Sequence, residues 1–399
     1  MSVEGVALGP FILQSLLGRG AAGEVFLAKH AEQKADVAVK VLSRRGGWER
    51  KHLDRFRTEV KAMASLHHHG VVMVLDYGEV SPVVSAGTGG TLVSGSPYFA
   101  MEYAGYGSLH GIAGSLSFQS LRAVLLVILE SLAHAHSHGL IHRDIKPANV
   151  LVFGQTPGRP DLKLTDFGIV LAAADREREG RVENSMGTPQ YMAPEQFRGL
   201  WRDYGPWTDL YAVGCVAYEL ASGQVPFDAD TFMEHAYKHT RLDRPGLPDD
   251  GRYPEAFQAW IERMMHVEPQ HRYVRAADAA WALRQIPIEY DPTLPILPRL
   301  PLRTGDDDLP MDAAQTSLGT DPSLPWSLVT LSGEGEGIET RDLHMPGVSS
   351  SGERLPYPSD HSMRVGGTRW QDVPPMHLTW RTETPPRRSM QLLGAGLGI

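Results

Sequence analysis

The chain is nearly free of cysteine, with Cys215 alone among 399 residues. One cysteine cannot form an internal disulfide, so a disulfide-stapled secreted fold is excluded and a reducing compartment is expected. The chain also lacks an excess of basic residues, because its formal net charge is −9. We therefore expect no basic face for nucleic acid or for an anionic membrane.

Long hydrophobic runs are scarce as well. The N-terminal sequence MSVEGVALGPF has no basic segment followed by an apolar core, so no signal peptide is expected. The most apolar stretch, LRAVLLVILESLAHAH, is too short for a membrane span and is interrupted by Glu130 and two histidines. It predicts a buried amphipathic helix, and we expect a cytoplasmic protein without a membrane span.

The end of the chain lacks lysine and sustained hydrophobic periodicity. Residues 291–399 contain 14 of the 29 prolines and are rich in serine, threonine and glycine. Such a segment cannot bury enough apolar surface to offset the entropy lost on ordering it. The composition therefore predicts a Pro/Ser/Gly-rich, mostly disordered tail over 291–399.

The first 290 residues have periodic apolar segments separated by turns, as is typical of a folded domain. Up to about residue 103 the segments FILQSLLGRG, GEVFLAKH and ADVAVKVL predict strands, and the Gly/Ser-rich stretch 81–97 predicts a long flexible hairpin loop. Helical spacing of apolar residues then predicts helices at about 117–138, 208–222, 231–240, 254–266 and 276–285. A small β-rich lobe before a larger helical lobe predicts a ligand-binding cleft between them.

Two motifs in the β-rich part suit phosphate binding. The run LGRGAAGEV places Gly18, Gly20 and Gly23 in a G-x-G-x-x-G-x-V pattern between two strands. Glycine lets backbone amides approach phosphate oxygens closely, although the pattern alone is also typical of a plain turn. Lys40, in the strand VAVK, would ordinarily be solvated, but a carboxylate such as Glu59 on the next helix would hold it charged and fixed for gripping phosphate.

Two further motifs carry groups for phosphoryl transfer. In IHRDIKPANVL, Asp144 can accept a hydroxyl proton, Lys146 can stabilise charge, and Asn149 can ligate a hard cation through its amide oxygen. In LTDFG, Asp166 follows a strand-like segment, and Gly168 frees the chain to turn. A turn is the ordinary interpretation of that pair, but beside Asn149 the carboxylate would supply a second oxygen ligand for magnesium.

The four motifs occur in one order with compatible spacings, and over about residues 8–286 the sequence resembles the eukaryotic-like serine/threonine protein kinases of bacteria. The resemblance implies an α+β, bilobal protein-kinase fold. Its small β-rich N-lobe would span about 8–103 and its larger α-helical C-lobe about 104–286, before the tail. It also implies transfer of the ATP γ-phosphoryl group to Ser/Thr hydroxyls of proteins in intracellular signalling, with ATP and Mg²⁺ as cofactors.

The resemblance assigns a role to each motif residue. The loop from Gly18 to Val25 would cover the ATP phosphates, and Lys40 would hold the α- and β-phosphates and pair with Glu59. Asp144 would orient and deprotonate the substrate hydroxyl. Asn149 and Asp166 would carry magnesium. The hinge AMEYAGYGSL and its neighbours would bind adenine through the gatekeeper Met101, the backbones of Glu102 and Ala104, and the side chains of Leu17, Val25, Ala38 and Leu151.

The resemblance also bears on substrate class and regulation. Lys146, two residues after the aspartate, resembles serine/threonine kinases, and GTPQYMAPEQ places Thr188 in the substrate-facing loop. Glu195 would form a structural ion pair with Arg272, and Asp209 would anchor the backbone of the catalytic loop. Tyr211 stands where family members often have tryptophan.

The activation segment would run from Asp166 to Glu195. Arg143 would pair with a phosphorylated residue there, for which Ser185 is the best candidate, although the charged run DREREGR is equally typical of a solvated loop that needs no phosphate. Ala21 and Ala22 leave the glycine-rich loop without a bulky tip.

Other interpretations remain open. A catalytically silent kinase fold acting as a scaffold is disfavoured because Lys40, Asp144, Asn149 and Asp166 are all present. A small-molecule phosphotransferase is disfavoured by the APEQ segment, which would build a peptide-docking surface. The histidines at 67–69 and 134–138 do not match a four-ligand zinc pattern. The expected partners are protein substrates and a second copy of the chain for autophosphorylation, but no nucleic acid.

Overall fold

The β-rich beginning of the chain forms one antiparallel sheet. Its strands are β1 (Ala7–Leu8), β2 (Phe11–Gly20), β3 (Gly23–His30), β4 (Asp36–Leu42), β5 (Val74–Glu79) and β6 (Pro97–Glu102). They lie in the order β1-β2-β3-β4-β6-β5. The register pairs Val25 with Lys40 and Lys40 with Phe99, so the lysine lies in the middle of the sheet beside the glycine-rich turn.

The sheet has an apolar cluster on each face, as alternation along β4 predicts. Ala38 belongs to a cluster that includes Phe56 of the first helix, whereas Val37 and Val39 belong to a second cluster with Phe26. Successive side chains of a strand point to opposite faces, so the continuous run of apolar residues fills both clusters.

The structure is a computed structural model that describes residues 3–20, 23–42, 50–154, 160–167, 188–199, 201–291 and 295–302. Helices within these ranges are α1 (Arg50–Ala64), α2 (Pro82–Gly87), α3 (Phe118–Ser137), α4 (Pro194–Phe197), α5 (Pro206–Ser222), α6 (Phe232–Arg241), α7 (Glu255–Met264) and α8 (Ala276–Gln285). The five helices predicted from apolar spacing are all confirmed, with ends within two residues of the prediction.

Helix α3 is the centre of the helical lobe. Ser117 caps its N-terminus by accepting a hydrogen bond from the backbone of Ser120. The helix is long and apolar enough to cross a membrane by length and composition, but two thirds of its most apolar window is buried inside the fold. Its apolar residues, such as Leu121, Val124 and Ile128, pack in the main cluster.

The stretch 81–97, predicted to be a flexible hairpin loop, is instead partly helical. Ser81 caps the short helix α2 and proline follows the cap, which is a favourable start for a helix. Thr88 accepts a hydrogen bond from the backbone of Leu92, and both residues are buried. The hairpin is confirmed, because β5 and β6 pair antiparallel. The prediction of a flexible loop was wrong, because one buried leucine among glycines and serines gives no periodic signal.

A short hairpin links the motif residues of the helical lobe. Strands β7 (Val150–Gly154) and β8 (Asp161–Leu164) pair so that Val150 lies opposite Leu164. Asn149 therefore immediately precedes one strand, and Asp166 follows closely after the other, at the same end of the hairpin.

The start of the predicted disordered tail packs against the helical lobe. Ile296 and Leu297 are buried in the main apolar cluster, and Leu300 packs against it from outside. The prediction of disorder was wrong for residues 295–302. Residues 292–294 and 303–399, which hold the rest of the predicted tail, lie outside the described residues.

Candidate active site

The glycine-rich turn connects β2 and β3. Gly20 pairs with Gly23, and Gly18 pairs with Val25. A Cβ on Gly23 would lie 2.0 Å from the carbonyl oxygen of Val41, and its φ is +146°, so glycine is required there. The tip residues, 21 and 22, lie outside the described residues.

Lys40 pairs with Asp166 rather than with Glu59. Its ammonium lies 2.6 Å from a carboxylate oxygen of Asp166, and both side chains are largely buried. Among the described residues, Lys40 forms no ion pair with Glu59, so the predicted Lys40–Glu59 pair is wrong for this conformation. Asp166 follows β8 by two residues, so the short hairpin of the helical lobe supplies the carboxylate that binds the ammonium. The contact joins the lysine predicted to bind phosphate, in one lobe, to the candidate metal ligand of the other.

Asp144 is held by four groups. One carboxylate oxygen accepts hydrogen bonds from the backbone N–H and the hydroxyl of Thr188, both at 3.2 Å. The other accepts from the amide of Asn149 at 3.1 Å and lies 3.4 Å from the ammonium of Lys146. Burial alone would raise the pKa of Asp144, but the charge of Lys146 and these hydrogen bonds hold the pKa below its ordinary value. Asp144 is therefore a carboxylate at neutral pH.

Thr188 and Lys146 complete this group. The Lys146 ammonium donates to the Thr188 hydroxyl at 2.7 Å, and the same hydroxyl donates to Asp144. A threonine hydroxyl thus lies between a base and a cation. The sequence placed Asp144 and Lys146 in one motif and Thr188, 42 residues after Lys146, in the substrate-facing loop, and the structure brings the three side chains into contact.

Asn149 and Asp166 are brought close by a backbone hydrogen bond between Asn149 and Thr165, the residue before Asp166. The backbone N–H of Thr165 donates to the carbonyl of Asn149 at 3.0 Å. The Asn149 amide nitrogen donates to both the carbonyl and the carboxylate of Asp144, which leaves the amide oxygen as its remaining ligand atom. Asp166 has a left-handed backbone, with φ +60°, which aspartate tolerates better than most residues.

Asp209 of α5 holds the backbone of the catalytic loop, as predicted. Its carboxylate accepts hydrogen bonds from the backbone N–H groups of His142, at 2.8 Å, and Arg143, at 2.7 Å. His136 adds a third bond at 2.7 Å. Burial would raise the pKa of Asp209, but the bond to His136 and the others outweigh it and lower the pKa. These bonds fix Arg143 in a left-handed conformation, with φ +70°, immediately before Asp144.

His142 links the loop to the metal-ligand candidates. Its ring nitrogen Nε2 donates to the carbonyl of Thr165 at 2.8 Å, and its ring lies 4.5 Å from that of Phe167. Complete burial lowers the pKa of His142 despite the surrounding carboxylates, so the ring is neutral. Because the neutral ring must carry its proton on Nε2 to make this bond, His142 and Thr165 are held in one relative position.

The hinge after β6 connects the two lobes through Glu102. Its carboxylate accepts from the backbone N–H of Met73 at 2.6 Å and pairs with Lys163 of β8 at 2.5 Å. The backbone N–H of Ala104 has no acceptor among the described residues, whereas that of Glu102 donates to the carbonyl of Met73. The hinge therefore offers the Ala104 amide to a ligand.

The predicted adenine-binding residues lie in one apolar cluster. Ala38 and Met101 are buried in it, and Leu17, Val25 and Leu151 pack against its edge. The residues come from both lobes, and their shared cluster agrees with a pocket between the lobes but equally with ordinary core packing.

Glu195 and Arg272 form the predicted ion pair. Two guanidinium nitrogens bond the two carboxylate oxygens at 2.9 and 3.0 Å, and the side chains are 2% and 0% exposed. Thr208 also donates to Glu195 at 2.9 Å. Arg272 donates in addition to backbone carbonyls of His266, Trp207 and Val267. The pair joins the end of the activation segment to the helical core.

Several predicted features lie outside the described residues. These are Gly168, the tip alanines of the glycine-rich turn, Ser185 and the rest of 169–187. The predicted pairing of Arg143 with a phosphorylated residue falls on that segment and stays a prediction.

Three contacts at the site were missed from the sequence. His136 bonds Asp209, Lys163 bonds Glu102, and Gln196 donates to the carbonyl of Arg143 at 3.0 Å. The sequence analysis treated His136 only as part of the histidine-rich run 134–138. Nothing in the spacing of these histidines shows which of them bonds to Asp209. Lys163 alternates with buried leucines in LKL, which marks it as the residue on the other face of β8.

Two buried groups depart from ordinary behaviour near α5. The hydroxyl of Tyr211 lies 2.8 Å from Nδ1 of His239. Burial lowers the pKa of His239 to about 3. Burial raises the pKa of the Cys215 thiol, which agrees with its predicted place in the core. No group of three histidine, cysteine or acidic residues in the described ranges is arranged to hold a metal.

The chain matches the protein kinase domain model over residues 11–281. It is 37% identical over 289 residues to the serine/threonine-protein kinase PknA of Mycobacterium tuberculosis, an alignment that covers 70% of this chain and 63% of the relative. It is 34% identical over 272 residues to PknB of Mycobacterium leprae, with 67% of this chain and 41% of the relative covered. The chain thus spans less than two thirds of either relative.

Among solved structures, the kinase domain of Mycobacterium tuberculosis PknI is similar over 71% of this chain and 99% of that one. The TM-score is 0.53 and the identity 25%. The small β-sheet lobe and the larger helical lobe confirm the predicted bilobal protein-kinase fold. The chain belongs to the protein kinase family.

Proposed function

We propose that the chain is a serine/threonine protein kinase that transfers the γ-phosphoryl group of ATP to hydroxyl groups of proteins. The observation that carries the proposal is the Thr188 hydroxyl, which donates to Asp144 and accepts from Lys146. The hydroxyl of a substrate would need the same two partners, a carboxylate that accepts its proton and an ammonium that stabilises the developing charge. The names of the bacterial relatives support the same activity.

Lys40 would grip the phosphates of ATP, and the glycine-rich turn beside it would cover them. The contact between Lys40 and Asp166 supports this, because it brings the lysine beside the carboxylate that we assign to the magnesium site. The Ala104 amide at the hinge would bind adenine, and the apolar cluster that holds Ala38 and Met101 would enclose the ring.

Asn149 and Asp166 fit a magnesium ion by their chemistry. An amide oxygen and a carboxylate are hard ligands of the kind that Mg²⁺ takes, and the Asn149 amide nitrogen is already committed to Asp144. When bound, the ion would neutralise charge on the phosphates. Asp209 has an indirect role. It accepts hydrogen bonds from the backbone of the catalytic loop and so sets the orientation of Asp144.

The reaction requires little covalent chemistry from the protein. The acceptor oxygen forms a bond to the γ-phosphorus while the bond to the bridging oxygen breaks and ADP leaves. The acceptor proton goes to Asp144, whose lowered pKa keeps it ionised and able to accept a hydrogen bond. Because that carboxylate is a weak base, orientation of the hydroxyl is its larger contribution.

The proposal extends to partners and location. The substrates would be proteins, including a second copy of the chain, and no nucleic acid is expected because the net charge is −9. A cytoplasmic location rests on the single cysteine, Cys215. A scaffold would need no Asp144–Thr188–Lys146 group. A small-molecule phosphotransferase would need no buried Glu195–Arg272 pair beneath a peptide-facing segment.

Phosphate transfer to a generic protein substrate tests the proposal. The full chain and MgATP should phosphorylate serine or threonine, identified after acid hydrolysis, and Asp144→Asn should be slower by about 10²-fold or more. The exposed Asp249→Asn is the matched control and should be as active as the wild type. Turnover of ATP with a metabolite and with no protein would favour the small-molecule alternative. Nucleotide binding without any turnover would favour the scaffold.

A further inference from the structure

The chain continues along the helical lobe after α8 ends. Arg122 of α3 donates to the carbonyl of Ile286 at 2.8 Å, and Ile288 packs against the main apolar cluster. The family domain model ends at residue 281, before this part begins. We call the described residues 286–291 and 295–302 the proline strap.

Gln119, near the start of α3, holds the strap at Asp291. Its side-chain oxygen accepts from the backbone N–H of Asp291 and its nitrogen donates to the carbonyl of the same residue, both at 2.8 Å. One buried amide thus satisfies both backbone groups of one residue, as a paired strand would. Ser120 makes the next contact, donating to the carbonyl of Pro295 at 3.0 Å.

Apolar residues then fix the strap to the lobe. Ile296 and Leu297 are buried, and Leu300 packs beside them. Prolines recur every third residue in DPTLPILPRLPL, which is the period of a polyproline II helix. A proline-rich segment loses little conformational entropy when it docks, because its unfolded state is already restricted. Proline also brings no N–H that would have to be paired.

The strap ends at the hinge. A Cβ on Gly105 would lie 3.0 Å from a methyl carbon of Leu302 and 4.0 Å from the ring of Tyr103. Gly105 directly follows Ala104, whose amide is the proposed adenine contact. Leu302 is 62% exposed, so its contact with the hinge contributes little to the stability of the core.

We propose that the proline strap is a segment docked in cis that positions the hinge, and that Leu302 acts on Gly105 as a positioning residue for nucleotide binding. The inference rests on the proposed function. Docking of the strap and binding of nucleotide would then be coupled, and coupling of this kind is reciprocal. Any event in the chain after Leu302 that lifts the strap would weaken nucleotide binding.

Nucleotide affinity of full-chain variants tests the strap. Leu302→Ser removes the hinge contact and should raise the Kd of MgADP about threefold, and Leu297→Ser should raise it by about three- to tenfold by loosening an anchor. Tyr290→Ser is the matched control, because Tyr290 lies on the same strap and is 67% exposed. It should bind as the wild type does. The unfolding temperature without nucleotide should be unchanged by Leu302→Ser.

A second measurement separates positioning from packing. Gly105→Ala adds a methyl against Leu302, so its effect on the Kd should be smaller in the Leu302→Ser background than in the wild type. Equal effects in the two backgrounds, or a Leu302→Ser protein that binds MgADP as tightly as Tyr290→Ser, would overturn the inference while leaving the proposed function intact. A wild-type chain that binds no nucleotide would overturn both.

Discussion

Replacing Glu195 with glutamine should destabilise the helical lobe strongly. The substitution keeps the size of the side chain but removes its charge. Arg272, which is 0% exposed, would then remain charged in the interior without a carboxylate. It would retain its bonds to backbone carbonyls, but these carry only partial charges.

The size of the effect follows from the burial of both partners. Removing one partner of a buried ion pair costs about 3–5 kcal/mol, because the other charge is left uncompensated. In a domain of this size each kcal/mol lowers the unfolding temperature by about 2–4 °C. We therefore expect a fall of roughly 6–20 °C.

Thermal and urea unfolding, followed by circular dichroism, measure the change. Arg275→Gln is the matched control because it breaks an exposed pair with Asp278, and it should cost no more than about 0.5 kcal/mol. A double variant, Glu195→Leu with Arg272→Met, should lose less stability than the two single changes added together. If Glu195→Gln costs as little as the control, the assignment of a buried charge pair is wrong.

Two further predictions concern stability. The pKa of His239 is about 3, below its unfolded value of about 6.5, so the unfolded chain binds more protons between these limits and stability falls as the pH drops through them. His239→Gln should reduce the loss between about pH 6.5 and pH 4 by up to about 3 kcal/mol in urea titrations, and an unchanged pH profile would contradict this. A chain ending at residue 290 should be about 2–4 kcal/mol less stable than one ending at 302, because it lacks the buried Ile296 and Leu297. Equal stability would show that the part of the strap after residue 290 contributes nothing.

Much of the fold follows from local patterns in the sequence. Alternation along β4 puts Ala38 on one face of the sheet and Val37 on the other, as the structure shows. The helical spacing of apolar residues located α3 and α8. These predictions succeed because period 2 and period 3.6 report which face of an element is buried. The period-3 prolines of the strap fit neither template, so a docked segment was taken for disorder.

The site was predictable in its residues but less so in its contacts. The Glu195–Arg272 pair and the bonds from Asp209 were foreseen through the family resemblance. The partner of Lys40 was not, because two carboxylates compete for one ammonium and Asp166 lies 126 residues away along the chain. Which of them wins depends on how the lobes approach each other, and no spacing in the sequence encodes that.

The measurement that tests the central claim most directly is the intact mass of the full chain after incubation with MgATP. The wild type and the exposed control Lys61→Met should gain mass in steps of one phosphoryl group, and Lys40→Met should gain none while unfolding at the wild-type temperature. Chelation of magnesium should abolish the gain in every case. Equal gains by Lys40→Met would contradict the phosphate-gripping role of that lysine. No gain by the wild type, with an added protein substrate also unmodified, would contradict the proposed kinase activity.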